Sequence, residues 1–164
     1  MAETLTPNDE SHDPANAWSP SGGTRVSAVE DSDEVVIQGF NNAYTITYSF
    51  TDLDPQINTV TDVTVYAYAG STVEGKGIKA ELFIDDVSQG WQQLEPVVQD
   101  YGWLVYSISD WNGPWSREQI NSAKVKFTAV MDAKEAALAI DEIYMTVDPG
   151  IGNVARVAHV LGLI

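Results

Sequence analysis

Tyr44-Thr45-Ile46-Thr47-Tyr48-Ser49-Phe50 alternates without a break, with Tyr44, Ile46, Tyr48 and Phe50 falling on one side of an extended chain and Thr45, Thr47 and Ser49 on the other. Successive side chains of a β-strand point to opposite faces, so this heptad reads as a strand with one dry and one wet surface. The same period returns at Val63, Val65, Ala67 and Ala69, and at Ile78, Ala80, Leu82 and Ile84. It returns again at Leu104, Tyr106 and Ile108, and at Val125, Phe127, Ala129 and Met131. The body is therefore all-β.

Further strands are expected at Arg25 to Val29, at Glu34 to Gln38, around Trp91 and at Ala137 to Val147. Turn-prone links separate them, among them Asp52-Leu53-Asp54-Pro55 and Gly75-Lys76-Gly77. Eight or nine short strands at about 10 to 20 residue spacing imply a two-sheet antiparallel β-sandwich, or jelly roll. Ser116 followed by Gln119 has capping-box spacing and predicts one short helix before Ile120, bridging two strands across an end of the sandwich.

Three segments follow from composition. Residues 1–24 hold Pro7, Pro14, Pro20 and the pair Gly22-Gly23, which break helices and favour turns, so they read as an extended N-terminal arm anchored by Leu5 and Trp18. Residues 25–149 are the sandwich body. Residues 150–164 contain no acidic side chain, and as a helix they would align Val154, Val157, Ala158 and Leu161 on one apolar face widened by Ile164. Such a tail either packs on its own sheet or docks into a neighbouring subunit, with Leu5, Trp18, Val154, Val157, Leu161 and Ile164 as the expected fastening contacts.

The 164 residues carry 24 Asp or Glu against 8 Lys or Arg, a net charge of −16. Nucleic acid is excluded as an expected partner, because phosphate binding needs clustered cations and these look scattered along the chain. The acidity suits either a solubilising surface on a crowded assembly or adaptation to high salt. With 44 % hydrophobic residues, the chain has ample material for a core. There is no Cys, so disulfides and thiolate metal sites are absent. No secretory leader and no run of 18 apolar residues is visible, which predicts a soluble chain made in the cytoplasm with no membrane partner.

Catalytic constellations are weak. Asp85-Asp86 and Asp141-Glu142 put neighbouring carboxylates on opposite strand faces, so neither forms a converging dyad. His12 and His159 lie at opposite ends of the chain, far from any nucleophile held in the body. The chain is expected not to be an enzyme, and no cofactor is expected. Calcium is the one candidate ion, at Glu30, Asp31, Asp33 and Glu34 with Asp52 and Asp54 as a second set, against the ordinary reading of solvated acidic turns. Aromatic residues invite a different chemistry: Tyr101, Trp111 and Trp115 sit in or beside a turn-rich stretch. They either close the open end of the sandwich or, if exposed, offer platforms for stacking sugars or anchoring a protein partner.

Several stretches together resemble a known group: Trp18-Ser19-Pro20-Ser21-Gly22-Gly23, the acidic turn Glu30 to Glu34 before Val35-Val36-Ile37, the pair Trp91 and Trp103, and the late strand Ala139 to Met145. The body from about residue 16 to 148 is similar to the β-jelly-roll modules found in carbohydrate-binding domains and in minor virion proteins of tailed viruses. That resemblance implies one of two roles. The first is a capsid decoration or cement subunit, located in the virion, bound to the major capsid protein or other virion subunits through its arms, and lattice-bound or homo-oligomeric. The alternative is a carbohydrate-binding module or host-attachment domain using exposed Trp residues. The two terminal segments favour the first.

Overall fold

The computed structural model describes residues 2–13, 18–20, 24, 26, 29, 36–38, 45–71, 77–94, 104–130 and 138–150. The chain forms β1 (Glu3–Leu5), β2 (Pro7–Asp13), β3 (Trp18–Pro20), β4 (Val36–Gln38), β5 (Thr45–Phe50), β6 (Thr59–Ser71) and β7 (Gly77–Ile84). It continues through β8 (Val87–Leu94), β9 (Leu104–Ser116), the helix α1 (Arg117–Asn121), β10 (Lys124–Val130) and β11 (Leu138–Pro149). Two antiparallel sheets face each other, one ordered β3-β4-β11-β6-β9 with β1 also paired to β11, the other β2-β5-β10-β7-β8. This is the expected jelly-roll sandwich.

Alternation decides which side of each strand is dry. Ile46, Tyr48 and Phe50 of β5, Ala80, Leu82 and Ile84 of β7, and Val125 and Phe127 of β10 are buried, and they meet Val63, Val65, Ala67, Ile143, Met145 and Val147 from the other sheet. Tyr48 and Phe127 pack edge to face with centroids 6.2 Å apart, an arrangement aromatic quadrupoles favour. Along β9, Ser109, Trp111 and Trp115 are buried among the described side chains, with Ser109 opposite Val65 and Trp111 opposite Val63.

The N-terminal residues are not a free arm. β1 joins the first sheet through Glu3↔Val147, Thr4↔Thr146 and Leu5↔Met145, and after Thr6 the chain crosses to the second sheet, where β2 lies against β5 from Pro7↔Phe50 to Asp13↔Thr45. Leu5 is 1 % exposed, so it fastens the chain to its own core and is closed to any partner. Trp18, the other expected anchor of the arm, begins β3, which pairs with β4. The physical reason is that strand pairing depends on an available neighbour edge, which local turn propensity does not report. β2 is itself an edge strand, and it shows the devices such edges use: a proline as first residue, then Asp9, Glu10 and Asp13.

Two other expectations change. Arg25 to Val29 is not a strand where it is described: Val29 N–H donates to Val26 O (3.1 Å) in a tight turn, and the Val29 side chain is buried. Asp110-Trp111-Asn112-Gly113-Pro114-Trp115, read as a turn, lies within the strand β9. The register slips between Val60↔Trp115 and Asp62↔Asn112, a bulge in which Gly113 passes so close to Val60 O that an added Cβ would stand 2.9 Å from it. The tail with Val154, Val157, Leu161 and Ile164 lies outside the described residues.

α1 forms where Ser116 and Gln119 place it, with Gln119 N–H donating to Ser116 Oγ (3.3 Å) and Ser116 N–H donating to Gln119 Oε1 (3.0 Å). It carries the chain from β9 in one sheet to β10 in the other and buries Ile120. Its end also holds the β7–β8 hairpin: Asp85 N–H donates to Ser122 Oγ (2.9 Å), and Lys124 Nζ lies 2.8 Å from Asp86 Oδ1. Asp85 and Asp86 both have positive φ (51° and 60°), as the two-residue turn with the twist of the flanking strands requires. Asp86→Val is therefore expected to cost about 1–2 kcal/mol, the strain of a branched residue in the left-handed region, while Asp86→Gly stays within about 0.5 kcal/mol of the parent. Urea titrations of the two variants compare them directly.

Candidate functional site

β8 is the outermost strand of the five-stranded sheet, and its sequence Val-Ser-Gln-Gly-Trp-Gln-Gln-Leu is too polar to bury either face fully. Its inward-pointing groups stitch the two sheets together. Gln92 donates through Nε2 to Asp110 O and accepts from Asp110 N–H (3.3 Å), occupying the open edge of β9. Trp111, reaching from β9, donates Nε1–H to Gly90 O (3.1 Å). Trp111 is 6 % exposed and Trp115 7 %, so neither offers a platform: both belong to the core. Each indole has more apolar area than a surface position leaves dry, and the only polar atom of Trp111 is already satisfied.

The outward side of β8 carries the other tryptophan. Trp91 is 55 % exposed and, with Val87 at 61 %, is one of two large hydrophobic residues exposed among those described. Strand register lays Trp91 beside Glu81, Glu81 beside Lys126, Lys126 beside Thr47 and Thr47 beside Ser11, a row crossing the whole outer face of the sheet. In the neighbouring row Lys79 pairs with Thr128 and Thr128 with Thr45. The Lys79 ammonium lies over the Trp91 ring, 4.0 Å from its centroid, and Lys126 Nζ lies 4.6 Å from the Phe83 centroid. Lys126 also binds Glu81 Oε2 at 2.8 Å, and Ser88 Oγ donates to Glu81 Oε1 at 2.7 Å.

These contacts set the charge state of the surface. Burial alone would raise the Glu81 carboxyl, but the hydrogen bonds from Lys126 and Ser88 outweigh it and hold the group below the ordinary carboxylate range. Glu81 is thus an anion with its charge already answered. The result is one exposed indole edged by a hydroxyl, a neutralised carboxylate and two ammonium groups.

A second aromatic cluster lies on the outside of the six-stranded sheet, where Tyr66 and Tyr144 are paired in register and stacked with centroids 4.6 Å apart and planes 11° apart. Burial pushes the Tyr144 hydroxyl up, with the charge of Glu142 adding to the effect. Because each ring spends one face on the other, the pair presents less stacking surface to a ligand than an unshared indole does.

The remaining candidates resolve simply. Asp52 and Asp54 are exposed in the β5–β6 loop, where Asp54 Oδ1 accepts from Gln56 N–H (2.8 Å) and so closes a local turn. Among the described residues no group of three or more Asp, Glu or His side chains is placed to hold a metal ion. Glu30, Asp31, Asp33, Glu34 and Tyr101 lie outside the described residues. Trp91, which the sequence offered as the middle of an expected strand and as part of a resemblance but not as a platform, is the residue that reasoning about loops missed. The signal available was a single Trp set among Ser88, Gln89, Gly90, Gln92 and Gln93.

No family model matches the sequence, and no curated protein matches it either. Solved structures do share its shape. The C-terminal CBM6 of LamC, a marine laminarinase from Zobellia galactanivorans, superposes with a TM-score of 0.52 at 11 % identity over 89 % of this chain and 99 % of that one. A truncated AlyQ with CBM32 and alginate lyase domains gives 0.51 at 8 % identity, over 92 % of this chain and 34 % of that one. The Stig cyclase Fisc from Fischerella sp. TAU gives 0.50 at 12 % identity, over 92 % and 100 %. Similarity at this level establishes architecture alone, since one fold hosts both binding modules and enzymes. The chain is a jelly-roll β-sandwich of the architecture seen in carbohydrate-binding modules.

Proposed function

We propose that this chain is a carbohydrate-binding module whose ligand packs against Trp91 on the outer face of the five-stranded sheet. One observation carries the reading: a half-exposed indole on a rigid strand, flanked by Lys79, Ser88, Glu81 and Lys126. A sugar ring has an apolar face of C–H groups and a rim of hydroxyls, so its binder needs a flat aromatic surface with hydrogen-bonding groups beside it. A strand in a stitched sheet holds those groups still, which limits the entropy lost on binding. The shared architecture with the laminarinase module supports the reading at the level of fold.

The alternative, a virion decoration subunit fastened to major capsid protein, drew its strength from two terminal arms. β1 and β2 are strands of the sandwich's own sheets, and the other segment lies outside the described residues. Glycan binding therefore has the firmer footing. Trp91→Ala is expected to remove saccharide binding, at least tenfold in Kd, while the melting temperature changes by only a few degrees because the indole is exposed. A glycan array followed by calorimetry on the best ligand checks this, and retention of full affinity by Trp91→Ala would refute the site.

A further inference from the structure

Resting on the reading of Trp91 as a sugar platform, we infer that the sugar residue held there is anionic and that Lys79 supplies its counter-charge. The basic side chains of the described residues divide unevenly. Arg117 faces Glu118 at 3.2 Å, Lys124 faces Asp86 at 2.8 Å and Lys126 faces Glu81 at 2.8 Å. Lys79 has the indole of Trp91 and no carboxylate partner among the described residues. In a chain with net charge −16, a cation left without an acidic neighbour is conspicuous, because acidic side chains outnumber basic ones three to one.

The position of Lys79 then separates ligands by charge. A neutral sugar stacking on the covered side of Trp91 must displace the ammonium and offers only hydroxyls in return. An anionic sugar instead recruits the same ammonium into a charge-assisted hydrogen bond, which is roughly twice as strong as a neutral one. Glu81 does not oppose the anion at close range, since Lys126 and Ser88 already occupy its oxygens. The field of the whole acidic chain does oppose it, but at physiological salt that field fades over about 8 Å, whereas Lys79 acts at contact. The predicted specificity is therefore for a single charged residue at Trp91, distinct from the clustered-cation binding of nucleic acid.

The test uses the full chain, a trimer of galacturonic acid and the same trimer with its carboxyl groups reduced, titrated calorimetrically at physiological salt beside a sulfated galactose trimer. The uronate trimer is expected to bind at least about tenfold more tightly than its reduced counterpart. Lys79→Gln, at unchanged melting temperature, is expected to bring that ratio to within about twofold, chiefly by weakening the uronate trimer. Tight, Lys79-dependent binding of the sulfated trimer alone would support the anionic site and assign sulfate as its charge. Equal affinities for the matched pair together with no tight, Lys79-dependent binding of the sulfated trimer, or a charge preference that survives in Lys79→Gln, would overturn the inference while leaving the sugar platform standing. Failure of every saccharide, or binding untouched by Trp91→Ala, would instead remove the platform itself.

Discussion

A chain lacking residues 1–13 is expected to be unfolded at room temperature, with the β-sheet circular dichroism of the full protein lost and no cooperative thermal transition. The reasoning starts at Leu5, which is fully buried and whose truncation to Ala alone should cost about 2–5 kcal/mol. Whole domains are stable by only about 5–15 kcal/mol, so that one side chain is already a large share of the margin. Removing the segment takes away more: three residue pairs with β11, the pairing of β2 with β5 from Pro7 to Asp13, and the bonds from Asp54 N–H to the Glu3 carboxylate at 3.1 and 3.2 Å. It also strips β5, which carries Ile46, Tyr48 and Phe50, of its outer neighbour β2, turning it into the edge strand among the described residues. A dispensable arm would leave the melting temperature where it was. The experiment thus separates a segment that completes two sheets from one that waits for a partner.

Trp111→Ala is expected to destabilise the protein by about 3–5 kcal/mol, the usual range for deleting a buried indole. The cost has two sources that can be told apart. Loss of the ring leaves a cavity between Val63 and the strands around it, and loss of Nε1–H frees Gly90 O, one of the ties between β8 and β9. Trp111→Phe keeps most of the volume and removes only the donor, so its penalty should be about 1 kcal/mol. Guanidinium unfolding of both variants measures the difference. If Trp111 were instead a ligand platform, Trp111→Ala would spare stability and abolish binding, the opposite of what its 6 % exposure implies. Because Gln92 and Gly90 flank Trp91 in the chain, Trp111→Ala also loosens the strand on which the proposed platform stands. Weakened saccharide binding in that variant would be an indirect effect, in proportion to the loss of folding.

How far residue pattern alone carries is clearest on β5, β7 and β10. Among the described side chains there, each inward position is apolar and each outward one is Thr, Ser, Lys or Glu except Phe83, so the period reports both the strand and its buried face. The capping box at Ser116 and Gln119 is equally local, and its helix forms at the expected place. What stays hidden is pairing at a distance. Pro7 to Asp13 has no apolar alternation because it is an edge strand rich in charged residues, and its partner β5 is more than 30 residues away in the chain. Gly113-Pro114 looks like a turn for the same reason: Gly and Pro mark a break in the ladder, and only the neighbouring strand decides whether the chain reverses or bulges. The site was obscured by a related ambiguity. Tryptophans in a turn-rich stretch and one in a polar strand are indistinguishable by composition, and only the register with Glu81 and Val63 reveals that Trp91 points out and Trp111 points in.

The proposed ligand site is the outer face of the five-stranded sheet. Backbone amide spectra recorded while a binding oligosaccharide is titrated into the full chain test it most directly. Concentration-dependent shifts are expected to be confined to Lys79, Glu81, Phe83 and residues 88–92, with the Trp91 indole N–H moving furthest and that of Trp111 nearly still. Shifts centred on the stacked pair Tyr66 and Tyr144, or on the β5–β6 loop around Asp52 and Asp54, with Trp91 silent, would contradict it.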